Sequence, residues 1–218
     1  MKRNWFARHP IGFMALYFLL YLSAFNFLET QISMPRVLLV HCRLDNLIPF
    51  CKYAILPYFA WFAWIPFTLF YLLWKAPRED FWRLPLFGGM TIALACYVIL
   101  PTGLDLRPYS VPGTDLFARA VRMLYRTDTP TNVCPSIHVF NSVTLMLAYH
   151  RCRLFEEPRR RWMRPAADVL CFSIVCSTML LKQHSCIDVV LGALLALVLD
   201  ALFNRAAERS EQPQIWHA

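Results

Sequence analysis

The sequence predicts an all-α membrane protein in which six transmembrane helices and a short interfacial helix form one domain, residues 1–218. Apolar residues make up 58% of the chain and charged residues 17%, a balance typical of membrane proteins. Four runs contain no Lys, Arg, Asp or Glu, and each is long enough to cross roughly 30 Å of hydrocarbon as a helix. These runs are 11–28, 53–74, 84–104 and 129–150.

The remaining two predicted spans are less purely apolar. Residues 165–181 contain Asp168, and residues 183–203 contain Asp188 and Asp200. The first run of the chain follows basic residues, as a signal peptide would. It lacks a clear small-x-small cleavage site, so it is expected to be a retained helix.

The basic residues predict the orientation of the six spans. The side that holds both termini carries 14 of the 22 Lys and Arg, and the opposite side carries eight. The bias predicts cytoplasmic termini. The 14 residues are Lys2, Arg3, Arg8, Lys75, Arg78, Arg83, Arg151, Arg153, Arg159, Arg160, Arg161, Arg164, Arg205 and Arg209. The net charge of +8 is attributed to this topology and to contact with anionic lipid heads of the bilayer, not to nucleic-acid binding.

The long outer loop, 102–134, is predicted to contain the interfacial helix. Thr114 is a candidate helix cap. Arg119, Arg122 and Arg126 follow at spacings that place them on one side of a helix. These arginines either anchor the helix to phosphate head groups or contact a substrate.

Eight cysteines show no CxxC pair and no zinc-like spacing. Several lie within apolar spans, where cysteine is commonly a small core residue. Cys134 and Cys186 both fall on the outer side, and a disulfide between them is one pairing that the sequence allows.

Two predicted helix starts face outward together. Pro135 suits the first turn of a helix, so the fourth span is expected to begin near Ser136, and the sixth near His184. Helix N-termini offer unpaired N–H groups and partial positive charge, which favour an anion. Arg107 lies just past the outer end of the third span, and Lys182 just past that of the fifth.

His184 and Asp188 are spaced i, i+4, so a carboxylate can hold one ring nitrogen and make the other a better nucleophile or base. His138 is a second histidine, able to give a proton to a leaving oxygen. Taken singly, each residue also has a structural interpretation. Ser136 caps a helix, His138 sits at the interface, the His184–Asp188 pair is a structural hydrogen bond, and Arg107 contacts head groups.

Together, these residues resemble the type 2 phosphatidic acid phosphatase superfamily. PSIH at 135–138 matches its Pro-Ser-x-His motif, and 177–188 resembles its Ser-Arg-x5-His-x3-Asp motif. Arg107-Pro108 resembles the end of its Lys-x6-Arg-Pro motif. The resemblance covers 84–203 and implies a six-helix protein whose site faces the extracytoplasmic side of the bacterial cytoplasmic membrane.

Two positions depart from the family pattern. Leu100 stands where the first motif has lysine, and Thr178 where the third has arginine. Lys182, one turn after Thr178, is the candidate replacement for one missing cation. Thr-x3-Lys-Gln-His resembles the branch near inositol phosphorylceramide synthases.

The resemblance implies hydrolysis of a lipid phosphomonoester or pyrophosphate through a phosphohistidine. His184 is then the nucleophile, Asp188 orients its ring, and His138 protonates the leaving alcohol. The phosphate oxygens are assigned to Arg107, Ser136 and Lys182. No Asp/Glu cluster suited to magnesium is apparent in the sequence, so no metal or other cofactor is expected.

Two alternatives stay open. In a lipid phosphotransferase, a second alcohol replaces water as the acceptor of the phosphoryl or phospho-head group. The second is a catalytically silent lipid-phosphate binder or transporter, which Leu100 and Thr178 suggest. A serine protease is disfavoured, because Ser136 has no Gly-x-Ser-x-Gly elbow around it.

Overall fold

The structure, a computed structural model, describes residues 8–31 and 37–211, with side chains as far as Asn204, and is mostly helical. The α-helices are α1 (Pro10–Gln31), α2 (Ile55–Lys75), α3 (Arg78–Trp82), α4 (Leu86–Ile99), α5 (Leu116–Thr127), α6 (Ile137–Arg151), α7 (Met163–Leu180) and α8 (Cys186–Glu211). Short 3-10 segments occur at Arg43–Asn46, Lys52–Ala54 and Arg153–Glu156.

Within the described residues, five helical segments are long and apolar enough to cross a membrane. They correspond to five of the six predicted spans, and the third joins α3 to α4. The segments are Pro10–Gln31, Lys52–Lys75, Arg78–Ile99, Met163–Leu180 and Cys186–Asn204.

The fourth predicted span is not confirmed. The run 129–150 forms a helix only from Ile137, and α6 has 15 residues, about 22 Å of helix. The first part of the run is a loop whose backbone and side chains bond to other segments of the protein. Thr131 bridges to Gly103, and the side chain of Asn132 donates to Glu29.

Helix α6 nevertheless lies at the centre of the packing, in contact with α2, α4, α7 and α8. Its buried side chains include Val139, Phe140 and Leu145, each fully inaccessible to solvent. Helix α1 packs against α4 and leaves many of its apolar side chains exposed, among them Leu19 at 65%. A long apolar surface of this kind is typical of a helix that faces lipid.

A small parallel sheet joins the loops at the end where α6 and α8 begin, which the all-α prediction did not include. Strand β1 (Leu38–Leu39) pairs in parallel with β2 (Thr102–Gly103). Both strands have only two residues, too short for a period-2 pattern to be visible in the sequence.

Helix α5 forms where the sequence predicts a helix, but Asp115 caps it, not Thr114. The Asp115 carboxylate accepts the N–H of Ala118 at 3.1 Å. Ala118, Val121 and Leu124 are buried, and the helix packs against α2. Arg119 and Arg122 donate to carbonyls of the preceding loop, at Thr114 and at Val111 and Gly113.

The predicted cytoplasmic termini depend partly on residues that lie outside the described structure. Lys2 and Arg3 precede the first described residue, and the side chains of Arg205 and Arg209 follow the last described one. The orientation of the chain therefore stays a prediction.

Candidate functional site

Two histidines and an aspartate form a buried hydrogen-bonded series. Nδ1 of His138 lies 3.2 Å from Nε2 of His184, and Nδ1 of His184 lies 2.7 Å from Oδ2 of Asp188. The exposed fractions are 7% for His138, 6% for His184 and 0% for Asp188. An ionised Asp188 accepts a hydrogen bond from a protonated Nδ1 of His184, and Nε2 of His184 is then directed at His138.

The two helix starts hold this series in place. The Ser136 side chain caps α6 by accepting a hydrogen bond from the N–H of Val139. The backbone N–H of Ser136 donates to the Asp188 carbonyl at 3.1 Å. Helix α6 thus begins one residue after Ser136, and Pro135 precedes the cap and is not in the first turn. His184 lies just before α8, and its N–H donates to the Thr178 carbonyl at 3.2 Å.

Aromatic rings from α2 support the imidazole of His138. Its ring centroid lies 4.7 Å from that of Tyr58 and 4.4 Å from that of Trp61. The Tyr58 hydroxyl donates to the Asp128 carboxylate at 3.2 Å. The imidazole is therefore fixed between His184 and two apolar faces.

Arg107 reaches the residue next to His184. Its guanidinium donates to the Gln183 side-chain oxygen at 2.5 Å and to the Asp128 carbonyl at 2.8 Å, and it stacks 4.6 Å from the Tyr125 ring centroid. Nε of Arg107 and Nε2 of Gln183 are among the buried donors of the described residues that have no acceptor. Buried N–H groups without partners are uncommon, and they mark where an oxygen ligand would be stabilised.

Lys182 does not join this cluster, which corrects its predicted role in phosphate binding. Its ammonium donates to the carbonyls of Asp45 at 2.7 Å and Ile48 at 2.5 Å. Its backbone has φ +54°, in the left-handed region. The turn between α7 and α8 therefore directs this cation to the loop before α2, away from the histidines.

The sequence predicts that the N-terminus of α8 favours a substrate anion. In the structure this N-terminus is not open, because the Asp45 carboxylate already occupies it. The Asp45 carboxylate accepts the N–H of Cys186 at 2.8 Å, the hydroxyl of Ser185 at 2.6 Å and the N–H of Cys42 at 2.8 Å. Burial acts against its ionisation, yet these hydrogen bonds prevail and lower the pKa of Asp45 to about 2.

Carboxyl groups also flank the site, at Glu29 and Asp128. Glu29 accepts from the backbone and hydroxyl of Thr129 and from the side chain of Asn132. Burial raises the pKa of the Asp128 carboxyl, Arg107 acts to lower it, and Glu29 raises it further. One guanidinium and several carboxyl groups therefore set the local charge.

Two cavities meet at His138. A space of about 20 Å³ lies among His138, His184, Gln183 and Asn132, close to what one water requires. An apolar cavity of about 480 Å³ extends from His138 between α1 and α2, past Trp61 and Tyr21. The small space would have to widen to hold a phosphoryl group. The apolar cavity is already large enough for a long hydrocarbon chain.

Cys186 does not pair with Cys134 as the sequence allowed. All eight cysteines are free thiols. The sulfur of Cys186 lies instead within 4.8 Å of that of Cys42.

Some residues of the site were not identified from the sequence. Gln183, Asp45 and Asp128 lie in loops, where no helical period indicates which way a side chain faces. The one usable indication was an acidic side chain within a short apolar segment, as at Asp45 in the run LDNLIPF.

Five of the six predicted site residues do come together: His138, His184, Asp188, Ser136 and Arg107. Their chemical roles stay predictions, and Lys182 is the exception. No protein-family model, no curated protein and no solved structure matches this chain.

Proposed function

We propose that the protein is an integral-membrane lipid phosphate phosphatase that hydrolyses a phosphomonoester or pyrophosphate through a phosphohistidine on His184. The buried series from His138 through His184 to Asp188 is the observation that supports it most directly. A carboxylate on one ring nitrogen of a histidine raises the nucleophilicity of the other. A second imidazole, that of His138, lies against the same ring, with its Nδ1 3.2 Å from Nε2 of His184. This contact has to open for Nε2 to attack, which leaves His138 beside the reacting phosphate as the proton donor.

The proposed reaction has two displacements. Nε2 of His184 attacks phosphorus, the bond to the lipid oxygen breaks, and His138 gives that oxygen its proton. Water then attacks the phosphohistidine, His138 takes a proton from the water, and the P–N bond breaks. Inorganic phosphate and a lipid alcohol leave, and both histidines return to their starting protonation.

Several donors are available for the phosphoryl oxygens. Nε2 of Gln183 and Nε of Arg107 are buried and unpaired, and the Ser136 hydroxyl accepts from Val139 but keeps its own proton to donate. Donors held in place before the reaction are where phosphoryl transfer gains most of its acceleration. Lys182 has no part in this proposal.

The apolar cavity between α1 and α2 supports a lipid substrate. It opens beside helix α1, whose exposed side chains are apolar, and it ends at His138. We place α6 as a sixth, shorter crossing, α5 at the interface, the termini in the cytoplasm and the histidines at the extracytoplasmic face. An acyl or prenyl chain then enters from the bilayer with its phosphate at the polar end.

Transfer of a phospho-head group to a second alcohol is the alternative that the charge balance favours. Arg107 is the one predicted phosphate-binding cation beside the histidines, and Glu29 and Asp188 face the same region. A phosphomonoester dianion meets more repulsion there than the monoanion of a phosphodiester. A phosphodiester substrate is what a head-group transferase uses.

The test measures phosphate release from a short-chain lipid phosphate by the purified protein. We expect His184→Ala and His138→Ala each to lose at least about a hundredfold in rate. His150→Ala is the control, because His150 bonds to Asp168 at the far end of α6 and should leave the rate unchanged.

Three other outcomes contradict the proposed mechanism. Undiminished turnover by His184→Ala rules out His184 as the nucleophile. Turnover that requires an added alcohol identifies a transferase. Saturable binding of the lipid phosphate by the wild-type protein without any turnover identifies a binder or transporter.

A further inference from the structure

A second cluster of reactive side chains lies beside the candidate site, on the other side of the α8 N-terminus. The sulfurs of Cys42 and Cys186 and a carboxylate oxygen of Asp45 lie within 4.8 Å of one another. Cys42 precedes the 3-10 segment Arg43–Asn46, and Cys186 is the first residue of α8. The mechanism proposed above uses neither thiol.

Asp45 brings the two cysteines together through their backbones. One carboxylate oxygen accepts the N–H of Cys42 and the other accepts the N–H of Cys186, both at 2.8 Å. Because the two oxygens belong to one carboxylate, the two backbone nitrogens lie within roughly 8 Å of each other. This upper limit allows the Cα spacing of about 4.4–6.8 Å that a disulfide requires, and the sulfurs themselves lie within 4.8 Å.

Both thiols are also reachable. Cys42 and Cys186 are partly exposed, whereas Cys152 and Cys171 are buried in the helix packing. Cys186 contacts the sulfur of Met179 at 3.8 Å, a weak interaction.

We propose that Cys42 and Cys186 form a reversible disulfide that fastens the loop before α2 to the first turn of α8, two residues from His184. A thiolate of one cysteine attacks a small-molecule disulfide and releases one thiol. The second cysteine then attacks that mixed disulfide and releases the other thiol. Overall, two protein thiols and one external disulfide give one protein disulfide and two external thiols.

A metal ion is the competing use of the same cluster, and the hydrogen bonds disfavour it. The Asp45 carboxylate already accepts from two backbone N–H groups and the Ser185 hydroxyl. A metal ion would have to share the carboxylate with these three donors, which leave about one acceptor position, on Oδ1. Joining the two sulfurs leaves all three bonds intact.

The disulfide does not depend on the proposed activity, and its test needs no substrate. The full-length protein in detergent is treated with oxidised glutathione, the remaining thiols are alkylated, and peptides are mapped without reduction. We expect a Cys42–Cys186 peptide, and a rise of several degrees in unfolding temperature that a reductant reverses.

Matched variants separate this pairing from others. Cys42→Ser and Cys186→Ser should each abolish the linked peptide and the temperature shift, while Cys134→Ser and Cys51→Ser should retain both. A linkage of Cys186 to Cys134, or of Cys42 to Cys51, overturns the proposal. So does full alkylation of both thiols after oxidation, or zinc that copurifies on the two sulfurs and blocks their oxidation.

Discussion

Single residues far apart in the sequence organise the turn that carries His184. Asp45 caps α8 and Lys182 bonds back to the Asp45 and Ile48 carbonyls, so the loop before α2 and the start of α8 support each other. The i, i+4 spacing of His184 and Asp188 was enough to predict their contact. No local spacing relates Asp45 to Ser185, because the two residues belong to different loops.

Asp45 gives a pH-dependent test at this scale. Its folded-state pKa of about 2 lies below the ordinary value of 3.8, so its stabilisation is complete above about pH 4 and is lost as the pH falls toward 2. We expect Asp45→Asn to reduce the free energy of unfolding by about 2 kcal/mol at pH 7. The difference from wild type should shrink as the pH falls from 4 to 2.

The measurement is the unfolding of reduced protein in detergent micelles between pH 2 and pH 7. The control is Asp168→Asn, since Asp168 is partly exposed and bonds to His150 at the opposite end of α6. A constant difference between Asp45→Asn and wild type across this range would contradict the role given to the charged carboxylate.

At the scale of helices, the close approach of α8 to the start of α6 sets the geometry of the histidines. A Cβ at Gly192 would lie 2.5 Å from the Ser136 carbonyl oxygen, which is backbone and cannot rotate away. The same helix pair carries the bond from the Ser136 N–H to the Asp188 carbonyl. A glycine at position 192 is therefore required by the crossing.

Gly192→Ala tests this crossing. We expect a loss of about 1–3 kcal/mol in stability from overpacking, and a larger fall in turnover, because Ser136 and Asp188 must separate. Gly88→Ala is the matched control, since a Cβ there meets only the Phe203 ring at 3.8 Å. Unfolding temperature and turnover are measured on both variants. Equal behaviour of the two would remove the argument that this crossing positions the histidines.

The helices were predictable to different degrees for a physical reason. Long charge-free runs indicate burial in hydrocarbon, and α1 and α2 follow two of them closely. Helices α7 and α8 follow the two less purely apolar runs, 165–181 and 183–203. The run 129–150 is equally free of Lys, Arg, Asp and Glu, but residues before Ile137 pair with Gly103 and with Glu29, so only 15 residues become helix. The absence of charged residues alone does not distinguish a polar loop packed inside the protein from an apolar helix.

At the scale of the whole molecule, the apolar cavity connects the surface of α1 to His138. Leu22 lines it and is 60% exposed, so its side chain stands at the outer edge. Leu20, on the same helix, is 61% exposed and does not line the cavity. For the lipid substrate proposed above, a side chain at this edge limits the entry of long acyl or prenyl chains and does not affect short ones.

Leu22→Trp narrows that edge with an indole ring and leaves the histidines untouched. For the lipid phosphate hydrolysis proposed above, we expect kcat/KM to fall about tenfold or more with a long-chain substrate and to stay near wild type with a short-chain one, since only the long chain must occupy the cavity. Leu20→Trp should be near wild type with both. Equal losses for the two chain lengths, or a matching loss in Leu20→Trp, would show that the lipid reaches His138 by another path.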